Sequence, residues 1–231
     1  MITVQQIVYT DHVERWHALA EAMGAIAPFP PAVDWAEFDG GGILAVHPAS
    51  EEHPAGRTDV HLLVTDLDAA EAALTGWKTT RFDLEGVGEI VAVQPAPGIS
   101  ISISAGARPA HAELSVQPIV FGPHIAETTA VLDALGLRAD IIADRGGWVE
   151  FQAGGGGSVG VHEADAPRIG LGFLAAGDLD ALATRLTDAG FAASVVDEAY
   201  ARTVRVANPD GGAEVWINGV QDDLYGYSRL S

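Results

Sequence analysis

The sequence predicts an α+β protein of four βαβββ modules, arranged as two tandem domains. Three observations carry this. Val4-Gln5-x-Ile7-Val8-Tyr9-x-x-His12 returns as Val116-Gln117-x-Ile119-Val120-Phe121-x-x-His124, and Asp66-Leu67-Asp68-Ala69 returns as Asp178-Leu179-Asp180-Ala181, both 112 residues on. Trp35 and Trp148 recur at 113 and His47 and His162 at 115, so the drift falls in Gly- and Pro-rich stretches, as loop insertions in a duplicated domain would. Within each half, apolar periodicity passes from strand to helix and back to strand, twice.

Taken in order, residues 2–9 read as a strand. Asp11-x-x-Glu14 has the form of a helix start, with Asp11 capping free amides and Glu14 reaching back. Val13, Trp16, Ala20 and Met23 share one face at helical spacing, and Gly24 ends the helix. The second half repeats that face as Ile125, Thr128, Leu132 and Leu135, closed by Gly136. Short strands at 35–38 and 43–47 flank a glycine turn. A second unit follows, with a strand at 60–64, a helix at 66–74 and strands near 78–83, 87–93 and 99–104. Ile99-Ser100-Ile101-Ser102-Ile103-Ser104 alternates strictly, the pattern of a strand with one dry face. The modules fall near 2–48, 57–105, 114–163 and 168–219. The domains are then 1–106 and 113–220, the linker 105–112 contains Arg108-Pro109, and a tail at 221–231 holds Tyr225 and Tyr227. Asp39-Gly40-Gly41-Gly42 and Gly154-Gly155-Gly156-Gly157 occupy matching places and read as flexible hairpin turns.

Composition narrows the function classes. A net charge of −20, with Lys78 as the only lysine, repels phosphate backbones and argues against nucleic-acid binding. No apolar run approaches the ~18 residues that a membrane span needs. No basic-then-apolar leader opens the chain, and there is no cysteine, so the expected compartment is the cytoplasm. The missing cysteine also excludes a thiol nucleophile, and there is no Gly-x-Ser-x-Gly elbow. The Gly154–Gly157 run lacks the Lys-Ser/Thr of a phosphate loop. His12 and His124 recur at helix starts and read as surface neighbours.

Several motifs carry a family resemblance. Tyr9-Thr10-Asp11 leads into a helix ending Met23-Gly24, matched by Phe121 and Leu135-Gly136. Val64-Thr65-Asp66-Leu67-Asp68-Ala69 opens the second helix. Gly42-Ile43-Leu44-Ala45-Val46-His47 has its counterpart in Gly157 to His162, and Asn208-Pro209-Asp210-Gly211-Gly212 precedes the last strand. In this order the chain resembles the vicinal oxygen chelate superfamily: glyoxalase I, bleomycin-resistance proteins and extradiol dioxygenases. The resemblance implies two cups, each curled from two modules, with metal held by His, Gln or Glu on facing strands in those members that use one. The family's ligand places fall on Val4 and Val116, Ala45 and Gly160, Asp59 and Leu171, and Ser102 and Val215 by this count. Polar residues stand one or two positions away.

Two function classes remain open. The first is a small-molecule-binding protein like the drug-resistance branch, lacking the full metal site, with Trp35, Trp148, Trp216, His47 and His162 lining the cups. The second is a metal-dependent lyase, isomerase or dioxygenase. In that case Gln117, His162 and Glu214, or Gln5, His47 and His61, hold a divalent zinc, nickel, manganese or iron ion. Trp216 exists in the second half alone, so the two cups need not be equivalent. A small molecule is the expected partner, and the chain is expected to be a monomer or homodimer.

Overall fold

The computed structural model describes residues 1–231 except His111, His124, Asp222 and Ser231; the recurrence of His12 as His124 thus lies outside the described residues. In the first half, β1 (Ile2–Thr10), α1 (Val13–Met23), β2 (Ala36–Gly40) and β3 (Gly42–Pro48) form one module. β4 (Thr58–Val64), α2 (Leu67–Ala73), β5 (Thr79–Leu84), β6 (Gly88–Val93) and β7 (Ile101–Ala105) form the next. Their strands make one seven-stranded sheet in the order β2-β3-β1-β4-β7-β6-β5. The modules meet where β1 runs antiparallel to β4, with Gln5 opposite His61. The first module has two full strands after its helix. Its third is reduced to a single bridge between Ile26 and Asp39, followed by Pro28, Pro30 and Pro31, which have no N–H to donate to a ladder.

The second half holds β8 (Leu114–Val116), β9 (Ile119–Gly122), α3 (Ile125–Leu135), β10 (Arg138–Ala143), β11 (Trp148–Gln152) and β12 (Ser158–Glu163). It continues with β13 (Arg168–Gly170), β14 (Phe173–Ala175), α4 (Leu179–Asp188), β15 (Ala193–Asp197), β16 (Arg202–Val206), β17 (Val215–Gly219) and β18 (Tyr227–Arg229). Here the copy departs from the original. The strand that is continuous as β1 is broken between β8 and β9 at Pro118, which replaces Gln6. The opposing strand breaks at Gly172, whose N–H donates to Gln6 Oε1 in the first half at 3.2 Å. The result is two sheets, β13-β9-β12-β11-β10-β18 and β15-β16-β17-β14-β8. The tail packs back: β18 adds an edge strand to β10, pairing Arg229 with Ile141 and Tyr227 with Ala143.

Strand alternation sorts the side chains onto two faces. Val4, Val8, Leu44, Val46, Leu62, Ile101 and Ile103 face the helices and join Val161, Phe173, Val204 and Ile217 of the second half in one core. Trp16 is fully buried within it, on the helical face that the periodicity predicts. Polar residues are left on the opposite, concave faces. Gly24 and Gly136 close α1 and α3 with φ of 96° and 93°. Asp66 and Asp178 cap α2 and α4.

Asp11 does not cap α1, contrary to the sequence expectation; no side chain caps that helix from the N-cap position. Asp210, from the Asn-Pro-Asp-Gly-Gly turn of the other half, instead ties down the segment that enters the helix. Its carboxylate accepts from Thr10 Oγ1 at 2.6 Å, the Asp11 amide at 3.2 Å and Trp16 Nε1 at 2.7 Å. Arg185 of α4 adds bonds from Nε to the Ala22 carbonyl and from Nη2 to the Met23 carbonyl. No helix among the described residues is long and apolar enough to cross a membrane.

The glycine runs are also not the flexible turns expected of them. Val116 N donates to Gly41 O at 2.7 Å, and its copy Val4 N donates to Gly156 O at 3.0 Å. Gly155 N donates to Ile2 O, and Gly42 N donates to Ala110 O. Each run is thus pressed against the opening strand of the other half. A Cβ on Gly156 would lie 1.8 Å from the Ala110 carbonyl oxygen, and one on Gly157 2.6 Å from Val4 Cβ. Both residues have positive φ, 111° and 84°. We expect Gly156→Ala to lower stability by about 3 kcal/mol, combining backbone strain with displacement of the seam. Gly86→Ala shares a positive φ but meets nothing within 4 Å, so it should cost about 1 kcal/mol. Urea unfolding of both variants measures the difference.

Candidate functional site

The observed pairings align the concave faces residue by residue. Asp39 pairs with Ile43 and Glu37 with Ala45, as Gln152 pairs with Ser158 and Glu150 with Gly160. Gln5, Glu37, Asp39, Trp35 and His47 therefore correspond to Gln117, Glu150, Gln152, Trp148 and His162. On the other wall, Leu62 pairs with Ile103 as Phe173 pairs with Ile217. That register makes Gly172 the counterpart of His61, Trp216 that of Ser102 and Asn218 that of Ser104. The sequence count, which set Asp59 against Leu171 and Ser102 against Val215, was one residue out, because the offset falls from 115 at His47 and His162 to 111 at Asp59 and Gly170 across the shortened connection between β12 and β13.

A rim of aromatic rings recurs intact. In the first cup, His47 lies between Tyr9 and Trp35 at centroid distances of 5.4 and 5.9 Å, and Arg57 stands 5.8 Å over Tyr9. In the second, His162 lies between Phe121 and Trp148 at 5.4 and 5.8 Å, and Arg168 stands 3.5 Å over Phe121. A Cβ on Gly160 would lie 2.5 Å from the Trp148 ring, so the ring lies across that glycine.

Below the rim the cups diverge. The first is filled by its own chain. Arg108 of the linker places Nη2 2.5 Å from Glu37 Oε2 and 2.9 Å from Asp39 Oδ1, and Gln5 Nε2 donates to Glu37 Oε1 at 2.9 Å. Ala107 and Ala110 of the same linker pack with Ile43 and Leu63. His61 is buried and hydrogen-bonded through Nδ1 to Ser102 Oγ at 2.7 Å and through Nε2 to Ser104 Oγ at 2.8 Å. Arg57 pairs with Asp59 at 2.9 Å.

The second cup keeps the framework and loses the filling. Gly170 and Gly172 replace Asp59 and His61. A cavity of about 940 Å³ opens, lined by Trp148, Trp216, Phe121, Ile119, Tyr200 and Arg168 among others, with Tyr227 and Arg229 of the tail strand on one side. Glu150 is buried on its wall. It accepts from Gln117 Nε2 at 2.8 Å and Gln152 Nε2 at 2.6 Å. Burial pushes its carboxyl above the usual range, against the two amide bonds and the Arg229 charge, while nearby Asp140 adds to the rise. Across the cup, Asn218 Oδ1 accepts from Thr203 Oγ1 at 2.9 Å and from Tyr200 Oη at 3.4 Å.

Of the residues singled out from sequence, Trp148, Trp216, His162, Gln117 and Glu214 all line this cavity. Trp35 and His47 sit on the half-buried rim of the first cup, while Gln5 and His61 are buried in its floor. The two candidate metal sets do not converge. Gly160 is opposite Ile119, so His162 and Gln117 are four residues apart along the strands, about 13 Å. Gln117 is committed to Glu150, and Glu214 to Arg205 at 2.5 Å. His47 is likewise four residues beyond the partner of Gln5, and both nitrogens of His61 are taken. Among the described residues, no three His, Cys, Asp or Glu side chains gather as a metal site. Sequence reasoning missed Glu150, although Glu37 and Glu150 recur at the same 113-residue offset as the tryptophans two residues earlier.

No protein-family model matches the sequence, and no curated protein matches it. Solved structures do match. The 2,3-dioxygenase LapB from Pseudomonas sp. KL28 superposes with a TM-score of 0.64 at 13% identity, covering 99% of this chain and 92% of that one. A catechol 2,3-dioxygenase gives 0.62 at 15%, covering 99% and 94%. Homoprotocatechuate 2,3-dioxygenase from Arthrobacter globiformis gives 0.61 at 14%, covering 94% and 78%. The chain thus shares the mixed α+β fold of these dioxygenases.

His61 sets a pH dependence of stability. Its burial lowers the pKa from 6.5 to about 4. The unfolded chain takes up this proton as pH falls through 6.5, whereas the folded chain resists until about 4, so stability present above 6.5 is lost across that window. The total is about 3 kcal/mol. Urea unfolding at about pH 7 and pH 4.5 should show a loss of this order that His61→Asn reduces; an equal loss in the variant would assign the pH dependence elsewhere.

Proposed function

We propose that the second cup is the working site and binds a small planar organic molecule without a complete set of metal-ligating side chains. The observation that carries this reading is the contrast between the cups. One framework is closed by Arg108 and the linker in the first copy, and is open as a cavity of about 940 Å³ in the second. Trp148 and Trp216 offer flat apolar faces to a ring, and Gln117, Gln152, Tyr200 and Asn218 supply polar groups that orient it. One chain supplies both cups, which supports a monomer, or a homodimer whose partner adds nothing to the site.

The dioxygenase names of the solved neighbours favour a metal-dependent enzyme of the same superfamily as a second reading. The side chains present do not fit it well, for the geometric reasons above. Elemental mass spectrometry on protein purified without chelators separates the two readings. We expect well under one divalent ion per chain. About one tightly held ion, lost in His162→Ala or Glu214→Ala, would overturn the proposal. In a fluorescence titration with planar aromatic probes, Trp148→Ala should weaken binding by about tenfold. Unchanged affinity would remove Trp148 from the site.

A further inference from the structure

The duplication supplies an internal clue to what the second cup holds. Gln5 and Glu37 in the first cup and Gln117 and Glu150 in the second are the same pair in the same geometry, amide nitrogen to carboxylate at 2.9 and 2.8 Å. In the first cup the second carboxylate oxygen faces a guanidinium, that of Arg108, shared with Asp39. In the second cup Asp39 has become Gln152, which donates to Glu150 in the direction of the missing cation. An amide is a weaker partner for a carboxylate than a guanidinium is. Glu150 is left with neutral donors beside an open cavity, and it is only 7% exposed. The other cation on this side, Arg229, is engaged by Asp140 at 3.4 Å. Arg168 stacks on Phe121 at the rim, about four residues from Gln117 along the strand.

We propose that Glu150 is the recognition carboxylate of the second cup, and that its ligand carries a flat N–H-donating cation, an amidinium or guanidinium, seated where the Arg108 guanidinium sits in the first. This rests on the reading of the second cup as a binding site for a planar molecule. Gln152 turns its amide away from Glu150 as the cation arrives, so the carboxylate exchanges a neutral donor for a charged one. Trp148, two residues before Glu150 on the same face of β11, provides a ring for the delocalised cation to stack on. The net charge of −20 favours the approach of a cation to the protein as a whole.

The test compares benzamidine with benzamide, which share a flat aromatic shape and differ in charge, by fluorescence and calorimetric titration of the full chain. Benzamidine should bind at least about tenfold more tightly, the difference a charged hydrogen bond makes. Glu150→Gln should bring the two probes to within about twofold of each other. Gln152→Asp rebuilds the Glu37–Asp39 pattern and should tighten benzamidine about fivefold or more. This gain of binding carries the test if Glu150→Gln fails to fold. Equal binding of the two probes, or a cation preference that survives Glu150→Gln, would overturn the assignment of Glu150. If both bind equally and Trp148→Ala weakens both, the planar-ligand reading stands and the cation falls. If neither binds at concentrations of about 10 mM, both fall.

Discussion

Everything in this molecule hangs on two peptide bonds that only glycine permits. Where the halves meet, Val116 donates to Gly41 and Val4 donates to Gly156, and the backbones approach too closely for any Cβ at 42, 156 or 157. The pairing is reciprocal, each half clasping the opening strand of the other. It joins the sheets of the two halves, whose apolar faces share one core. The linker must turn through the same seam, with Ala110 bonded to Gly42 and Gly155, and that path carries Arg108 into the first cup.

The seam also bears on how the two copies of one framework come to differ. The first copy is satisfied internally. Glu37 and Asp39 share Arg108, Arg57 has Asp59, and His61 has two serine hydroxyls. Most buried polar groups of this cup have partners that are themselves protein, although Arg108 Nε has none. In the second copy the corresponding partners are replaced by glycine, glutamine or tryptophan. The changes to glycine and glutamine remove volume or charge from the interior, while Trp216 and Asn218, larger than Ser102 and Ser104, line the open cavity.

The break at Pro118 contributes to that opening. A continuous β8–β9 would hold both walls in one sheet, as β1 does. Loss of the Pro118 N–H and the bend at Gly172 split the walls, and Gln6 of the first half stabilises the bend through the Gly172 amide. The tail then extends the far edge as β18 and places Tyr227 and Arg229 on the cavity side. The open site is thus built mostly from the second half's strands, with Val8, Trp16, Gly56 and Thr58 of the first half also on its lining, and its splayed shape depends on a contact from the first.

The repeat offset, the helix faces around Trp16 and Leu132 and the strict alternation at 99–104 were all legible from residue order, because periodicity and duplication are local properties of a chain. So were the rim residues Trp148 and His162, as recurring members of a repeat, and the asymmetry that Trp216 introduces. The hold of Asp210 on the entry to α1 was not legible, because Asp210 comes from the opposite end of the chain. The glycine runs looked like free turns, since nothing local says that another backbone lies against them. The candidate metal sets do not converge for the same reason: spacing suggests which residues share a face, but how far apart they stand depends on strand pairing. That Arg108 fills one cup while its counterpart stays open was decided by tertiary structure alone, because the path of a linker through a close backbone contact is not written in the residues of either cup.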